Sequence, residues 1–242
     1  MTNTNEKTVL ITGASRGIGR ALVDEYVQAG AHVLAVARRP GNDDAGGAID
    51  WIAADLSVAE GWDAVIEAVA QSGRKLDVVI NNAGIQQAID LADTGSDAFR
   101  RMAASEIAIN LTAPLVLAQG LLPYLRRPGA TIVNVTSLLS RHPKVSAPVY
   151  CASKAGLASF TNAMRRQFAP LGIRVAEAIP PLVATDMTDG RGKGKLSPQA
   201  MARAIVDGVE RGRKRIAPGM SGPLLAINRV APELAAAMLA KG

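Results

Sequence analysis

The stretch Thr8–Gly19, with the sequence TVLITGASRGIG, carries the first structural signal of this chain. It begins with a run of β-branched and aliphatic residues, which is typical of a buried strand. Gly13, Gly17 and Gly19 follow, and an amphipathic segment then runs to about Gln28. Glycines between a strand and a helix let the backbone turn tightly and approach a pyrophosphate, whose charge the helix amino terminus stabilises. The stretch therefore predicts a strand, a nucleotide-binding turn and a helix.

The rest of the chain repeats this alternation of apolar strand and amphipathic helix. The strands are apolar along their whole length, which indicates a parallel sheet covered by helices on both faces. We expect a doubly wound, three-layer α/β sandwich with a mostly parallel sheet of about seven strands, folded as a single domain over residues 1–242. Further strands are predicted at residues 31–37, 49–53, 76–80, 131–135 and 173–178. Helices are predicted at residues 17–28, 59–71, 97–122, 149–168 and 198–209, with a partly helical end at 222–241.

The end of the second predicted strand reads Ala37-Arg38-Arg39. In sheets that bind NAD, an acidic residue at this place accepts a hydrogen bond from the ribose 2′-hydroxyl, whereas arginine accommodates the 2′-phosphate of NADP. Arg16, inside the glycine turn, can supply a further cation for that phosphate. Exposed arginines are common, so Arg38 and Arg39 are alternatively ordinary surface residues. The pattern favours NADP(H). The residues predicted here to bind it are Gly13, Ser15, Arg16, Gly17, Ile18, Gly19, Arg38 and Arg39.

Further motifs follow the later strands in a fixed order. They are Asp55-Leu56 after the third strand, Asn81-Asn82-Ala83-Gly84 after the fourth, and then Asn110, Ser137, Tyr150 and Lys154. With these motifs the chain resembles the classical short-chain dehydrogenase/reductase family over nearly its whole length. The resemblance implies a Rossmann-type fold in which Asp55 and Leu56 contact the adenine. It also implies that the cofactor's adenine and ribose side is supported by Asn82, Ala83 and Gly84. Taken alone, the Asn-Asn-Ala-Gly stretch is a simple turn.

Tyr150 and Lys154 are four residues apart, so both project from one face of a helix that is expected to begin beyond Pro148. Hydride transfer to a carbonyl needs a proton donor, and the reverse reaction needs a base that works near neutrality. A free tyrosine has a pKa of about 10. A neighbouring ammonium favours the ionised phenol, so Lys154 is expected to bring Tyr150 toward working pH.

Two more side chains complete the predicted catalytic set. The hydroxyl of Ser137 can hold the substrate oxygen and stabilise the charge that develops on it. By resemblance, Asn110 keeps a water that relays protons to solvent, and Lys154 also binds the nicotinamide ribose hydroxyls.

The segment Pro180–Thr185 departs from the family pattern. The family places Pro-Gly here, followed by a Val and a Thr that contact the nicotinamide carboxamide. Pro181 stands where the glycine is usual, which fixes φ and removes an amide donor. Val183 and Thr185 remain in place as predicted cofactor residues, while the seating of the nicotinamide against Pro181 stays open. The following loop, at about residues 186–196, is expected to cover the substrate.

The amino-acid composition argues against nucleic-acid binding, a metal cluster and a membrane span. The net charge of +6 arises from scattered basic pairs, and the aromatic content of 3% leaves little for base stacking, so no nucleic-acid partner is expected. Two histidines and one cysteine give no metal cluster and no internal disulfide. No apolar run approaches the roughly 18 residues that span a bilayer, and the amino terminus has no apolar signal region. A cytoplasmic protein without a membrane partner is expected.

The sequence thus predicts an NADP(H)-dependent oxidoreductase that moves a hydride between nicotinamide and a small secondary alcohol, ketone or aldehyde. Two alternatives stay open. One is a regulator that senses NADP(H) without turnover, and the other is a reductase of 3-oxoacyl substrates tethered to an acidic carrier protein. By resemblance, assembly as a homodimer or homotetramer is expected through the helices near residues 97–122 and 149–168.

Overall fold

The computed structural model describes residues 7–43, 45–190, 192, 194–231 and 233. Its seven strands form one sheet in the order β3-β2-β1-β4-β5-β6-β7, and all neighbouring strands are parallel. This confirms the predicted doubly wound α/β fold. The strands are β1 (Thr8–Thr12), β2 (His32–Ala37), β3 (Ile49–Ala53), β4 (Val78–Asn81), β5 (Thr131–Val135), β6 (Arg174–Ala178) and β7 (Arg215–Ile216).

Helices cover both faces of the sheet and complete three layers. The helices are α1 (Gly17–Gln28), α2 (Ala59–Gln71), α3 (Ser96–Ile107), α4 (Ala113–Gly120), α5 (Pro148–Phe168), α6 (Pro198–Glu210) and α7 (Ser221–Val230). On one face, side chains of α1 and α6 enclose an aliphatic core with the strands. On the other face, side chains of α2, α4 and α5 enclose a second core.

The strand β1 shows how the sequence builds both layers. All of its residues are buried, as its uninterrupted apolar character predicts. Val9 and Ile11 belong to the core beneath α1 and α6, whereas Leu10 belongs to the core on the opposite face. Because successive side chains of a strand point to opposite faces, a central parallel strand must be apolar at every position.

Several predicted boundaries are wrong in detail. Leu76 does not join β4 but forms an isolated bridge with Leu125. The long helix predicted at residues 97–122 is interrupted by a π-helical turn at Ala108–Thr112 and ends at Gly120. The helix α5 includes Pro148 as its first residue, where the missing amide proton costs nothing. Of the predicted terminal helical segment, residues 232 and 234–241 lie outside the described residues.

The helical run Ser96–Gly120 is long and apolar enough to cross a membrane when judged by length and composition alone. Core helices of soluble proteins meet the same test, so this is weak evidence. In this protein the run carries two fully buried polar side chains, Glu106 and Asn110. Leu117 and Ala118, farther along, pack in the core against the sheet.

The strand order reverses between β1 and β4, which follow each other across the centre of the sheet. In open parallel sheets, ligands bind in the crevice outside the carboxyl ends of the strands at such a switch point. The loops after β1, β4 and β5 leave the sheet on this side, and they carry the predicted site motifs.

Candidate active site

A cleft of about 400 Å³ lies at this carboxyl edge of the sheet. It brings together most of the residues that the sequence singles out. Those that line it are Gly13, Arg16, Gly17, Ile18, Arg38, Asp55, Leu56, Asn82, Ala83, Gly84, Ser137, Tyr150, Lys154, Val183 and Thr185. Four predicted residues are not part of its lining, namely Ser15, Gly19, Arg39 and Asn110.

The glycine turn after β1 is shaped by close backbone approaches. Gly13 has a φ of 68°, and a Cβ at this residue would lie 2.8 Å from the Cα of Ala83. A Cβ at Gly19 would lie 2.0 Å from the carbonyl oxygen of Gly13, so α1 can pack on the turn only if this residue has no side chain. Gly17 has a φ of 57°, a region that L side chains rarely adopt. The turn therefore requires glycine at all three positions.

Asn82 holds this turn in place from the end of β4. Its side-chain nitrogen donates to the carbonyl oxygen of Thr12 at 3.0 Å and to that of Gly13 at 3.3 Å. The amides of Asn82 and Ala83 both donate to the hydroxyl of Thr12 at 3.0 Å. The Asn-Asn-Ala-Gly motif thus fastens β4 to the glycine turn, besides lining the cleft.

Charged groups stand in and beside one end of the cleft. Arg38 lines the cleft just beyond β2, and the adjoining Arg39 is exposed but does not line it. The carboxylate of Asp55 accepts from the amide of Ser57 at 2.9 Å and from its hydroxyl at 2.7 Å. These hydrogen bonds lower the pKa of Asp55, and the charge of Arg38 adds to the effect. Asp55 is therefore ionised at neutral pH.

Tyr150 and Lys154 lie on the same face of α5, as their spacing predicts, and both are buried in the cleft wall. The Lys154 ammonium donates to the carbonyl oxygen of Val135 at 2.8 Å and lies 5.9 Å from the centre of the Tyr150 ring. Burial lowers the pKa of Lys154 to about 8, while the charge of Glu106 acts in the opposite direction. A cation whose pKa is close to neutrality therefore lies beside the phenol.

Asn110 lies behind the cleft wall, in the π-helical turn between α3 and α4. Its side chain accepts from the amide of Ile85 at 2.9 Å and donates to the carbonyl oxygen of Ile85 at 2.8 Å. It also donates to the hydroxyl of Ser153 at 3.2 Å. A Cβ at Gly84 would lie 3.2 Å from the Asn110 oxygen and 3.4 Å from the Lys154 nitrogen. The loop after β4, the π-helical turn and α5 thus converge at this point.

Ser137 follows β5 and lines the cleft next to Tyr150. Its backbone is extended, and its side-chain oxygen accepts from the amide of Leu139 at 3.1 Å, which caps a short 3-10 turn. The carbonyl oxygen of Ser137 accepts from the hydroxyl of Ser140 at 2.6 Å. These two hydrogen bonds fix the direction in which the serine enters the cleft.

The segment after β6, at residues 180–188, also contributes to the wall of the cleft. Thr185 and Thr188 make a reciprocal capping box, and the hydroxyl of Thr188 also donates to the carbonyl oxygen of Val183. The amide of Ala184 donates to the carbonyl oxygen of Leu196 at 2.9 Å, which ties the two ends of the predicted substrate loop together. Residues 191 and 193 of that loop lie outside the described residues.

The sequence model of the short chain dehydrogenase family matches residues 7–195 of this chain. The chain belongs to the short-chain dehydrogenase family. It is 34% identical over 227 residues to an uncharacterized oxidoreductase, DltE, of Bacillus subtilis, covering 89% of this chain and 88% of that protein. It is 35% identical over 218 residues to protein FixR of Bradyrhizobium diazoefficiens, covering 82% of this chain and 72% of that protein.

A short-chain dehydrogenase of Burkholderia cenocepacia, solved in complex with NADP, superposes with a TM-score of 0.73 at 26% identity. The superposition covers 84% of this chain and 90% of that structure. The four motifs that support the family resemblance therefore occur in a chain whose family and fold are both established.

Pro181 marks this chain's departure from the usual short-chain dehydrogenase pattern. It lines the cleft together with Pro180 and Leu182. A Cβ at Gly219 would lie 3.6 Å from the Pro181 ring, so the segment before α7 packs beside it. Pro181 thus replaces a flexible residue with a rigid apolar one in the wall of the cleft.

Sequence reasoning missed several residues around the short-chain dehydrogenase motifs. The cleft lining also includes Ile85, Gln86, Leu138, Leu139, Lys144 and Leu182. These lie in loops, where no periodicity indicates which side chain points inward. Glu106, which is buried and influences the pKa of Lys154, was missed as well because a glutamate in a helix is normally a surface residue.

Proposed function

We propose that this protein is an NADP(H)-dependent oxidoreductase that interconverts a secondary alcohol and a ketone, or reduces an aldehyde. The observation that carries the proposal is the position of Tyr150 and Lys154. Both lie in the wall of the cleft whose other end is lined by the glycine turn. A dinucleotide laid along this cleft would place its nicotinamide end beside the phenol.

The residues that line the cleft are suited to binding such a dinucleotide. Gly13 and Gly17 expose a turn without side chains, at which a pyrophosphate can approach the backbone. Arg16 and Arg38 line the cleft near this turn, and the two residues directly after β2 are arginines rather than a carboxylate. This charge pattern supports a preference for the 2′-phosphate, and the Burkholderia cenocepacia relative solved in complex with NADP agrees with it.

The chemistry then follows from this chain's own residues. When bound, the nicotinamide supplies or accepts the hydride. In reduction the Tyr150 hydroxyl donates a proton to the carbonyl oxygen, and in oxidation the phenolate removes the proton of the alcohol. Lys154 stabilises the phenolate through its charge, and Ser137 donates a hydrogen bond to the substrate oxygen. Asn110 positions the end of the β4 loop and α5 behind them.

The substrate end of the cleft is mainly apolar. Leu138, Leu139, Leu182 and Met187 line the cleft together with Ser137. Apolar walls with a few fixed polar groups are typical of sites for small organic ligands. We therefore propose a small carbonyl or alcohol with a hydrophobic body as the substrate, covered by the loop at about residues 186–196.

Assembly and location are part of the same proposal. We propose a cytoplasmic homodimer or homotetramer that forms through the exposed sides of α3 and α5, where Ile107 is 42% exposed. Light scattering of the purified protein at working concentration tests it, and a monomer would contradict it.

The function is tested by measuring oxidation of NADPH and of NADH with a panel of ketones and aldehydes, together with reduction of NADP by the corresponding alcohols. We expect turnover with NADPH, increasing with the hydrophobic body of the substrate. Tight binding of NADPH with no turnover on any carbonyl or alcohol would overturn the enzyme assignment and favour an NADP(H)-sensing regulator. Turnover that is equally efficient with NADH would overturn the cofactor assignment.

A further inference from the structure

Glu106 is a fully buried carboxylate near the end of α3, four residues before Asn110. One of its oxygens accepts from the amide of Gln87 at 3.0 Å. The other oxygen is buried and has no hydrogen-bond partner among the residues that the structure describes. None of the mechanistic roles above uses this residue.

A buried carboxylate of this kind needs an explanation. Removing a charged oxygen from water without a compensating partner costs several kcal/mol. Within the described part of the chain, Glu106 forms no ion pair that would offset this cost. An apolar side chain or glutamine would fill the same space at a lower cost. A carboxyl group at this position is therefore not explained by packing alone.

The charged and titratable groups packed near Glu106 lie on α5. They are Lys154 and Cys151, and the charge of Glu106 acts on both. The geometry agrees for Lys154, because a Cβ at Gly84 would lie 3.4 Å from its nitrogen and 3.2 Å from the oxygen of Asn110, which follows Glu106 by four residues. The neighbouring backbone after β4 offers only the Gln87 amide. Lys154, on α5, is the cation whose charge lowers the pKa of Glu106 without forming an ion pair with it.

We propose that Glu106 is a positioning residue of the active site, whose buried carboxylate acts across the α3–α5 interface to keep the Lys154 ammonium charged beside Tyr150. The proposal rests on the function given above, since it assigns Glu106 to the same acid/base pair. It explains how a fully buried ammonium remains available near neutrality.

The charges around Lys154 determine in which direction its pKa moves when Glu106 is replaced. Burial lowers the pKa of Lys154 to about 8, and Glu106 opposes that shift. Burial raises the pKa of Glu106, whereas the Gln87 amide and the Lys154 charge lower it. Removing the carboxylate charge therefore leaves the burial of Lys154 unopposed. The ammonium would then lose its proton at a lower pH, and the stabilising charge beside the phenol would be lost with it.

The first test measures the Lys154 titration in the protein without cofactor by NMR of its side-chain Nζ and Cε. Lys154→Met identifies the signal. In Glu106→Gln, which keeps an oxygen for the Gln87 amide, we expect the Lys154 pKa to fall by roughly one unit. The control is Asp77→Asn, which removes a partly buried carboxylate that pairs with Arg126 at the opposite edge of the sheet. This control should leave the Lys154 titration in place.

The second test is the pH profile of carbonyl reduction. Proton loss from the coupled Tyr150 and Lys154 pair ends activity at high pH. Because Glu106→Gln removes a nearby negative charge, the falling limb of kcat should move to lower pH by a similar amount. A variant that only loosens the fold would lower kcat at every pH without moving that limb. An unmoved limb together with an unmoved Lys154 titration would overturn the proposal.

If Glu106→Gln does not fold, the reciprocal measurement tests the coupling between Glu106 and Lys154. Coupling between two sites is mutual, so Lys154→Met should raise the pKa of the Glu106 carboxyl, observed by carbon NMR. A carboxyl pKa that is the same with and without Lys154 contradicts the proposal. These titrations use the protein without cofactor. Failure of the proposed function, seen as absence of turnover in the unmodified protein, is therefore distinguishable from failure of this inference.

Discussion

The Arg16 guanidinium contacts the Asp186 carboxylate at 2.9 Å and joins the glycine turn to the segment after β6. The two side chains are 70% and 73% exposed, so water weakens the pair. Exposed ion pairs of this kind contribute at most about 1 kcal/mol. The same Arg16 is proposed to bind the 2′-phosphate of NADP(H), so the carboxylate and the phosphate would compete for one guanidinium.

Asp186→Asn is therefore expected to strengthen NADPH binding. The change removes the competing partner of Arg16 and a negative charge near the phosphate, and we expect the Kd to fall about two- to fivefold. NADH lacks this phosphate and should bind as before. Asp207→Asn is the matched control, because Asp207 is also an exposed carboxylate paired with an arginine, on α6. Weaker NADPH binding in Asp186→Asn by fluorescence titration would contradict the competition.

Arg38 is predicted to select NADP(H) at the far end of the cleft. Loss of a charge-assisted hydrogen bond to phosphate costs about 1.5–3 kcal/mol, so Arg38→Ala should raise the Kd of NADPH roughly 10- to 100-fold. The Kd of NADH should change little. Arg74→Ala removes an exposed arginine from the turn between α2 and β4, at the opposite edge of the sheet, and serves as the control. Equal losses for both cofactors would show that Arg38 does not read the phosphate.

Gly19→Ala is expected to disrupt the nucleotide-binding turn. The added Cβ would lie 2.0 Å from the carbonyl oxygen of Gly13, so backbone must move. We expect a loss of at least about 2 kcal/mol in the free energy of unfolding, as for other overpacked sites, and loss of NADPH binding. In Gly95→Ala the added Cβ meets nothing within 4 Å, and only the poorer capping of α3 by alanine remains, so stability should change by less than about 1 kcal/mol. Urea unfolding of both variants compares them directly, and equal stability would contradict the packing argument.

Lys154 gives the protein a characteristic dependence of stability on pH. Burial lowers its pKa from 10.5 to about 8 in the folded state, with Glu106 opposing the shift. Between these values the unfolded chain holds a proton that the folded chain has released, so the free energy of unfolding rises with pH. Below about pH 8 the cost of burying the charge is fully present. We therefore expect the stability of the unmodified protein relative to Lys154→Met to increase by up to about 3 kcal/mol from pH 8 to pH 10.5.

Urea unfolding of both proteins without cofactor, at matched pH values across this window, measures that difference. The comparison cancels the contributions of all other titrating groups to first order. A constant difference, or one that decreases as pH rises, would show that the ammonium of Lys154 is not buried at a cost.

The sequence predicts the fold because its strands are both apolar and regularly spaced. The run from Thr8 and the three glycines after it lead to the observed strand, turn and helix. β7 was not located, because the two residues Arg215–Ile216 are too few to produce a pattern. The π-helical turn around Asn110 was missed as well, since one extra residue per turn leaves the apolar periodicity of a helix almost unchanged.

Some residues of the site can also be predicted from the sequence, whereas others cannot. Tyr150 and Lys154 are predictable because a helix of fixed period sets their common face. Glu106 is not, because its burial depends on how α3 packs against α5, which no local pattern encodes. Arg38 and Arg39 are indistinguishable in the sequence, yet only Arg38 lines the cleft, because adjoining residues beyond a strand point in different directions.

The central claim is that Tyr150 is the acid/base of a carbonyl reductase. The most direct measurement is the single-turnover rate of NADPH oxidation by Tyr150→Phe, beside the unmodified protein, with a ketone that the latter reduces. The variant keeps the aromatic ring and should bind NADPH normally. Loss of the hydroxyl proton should slow reduction by about 10²- to 10⁴-fold. A Tyr150→Phe protein that reduces the ketone at the unmodified rate would contradict the account.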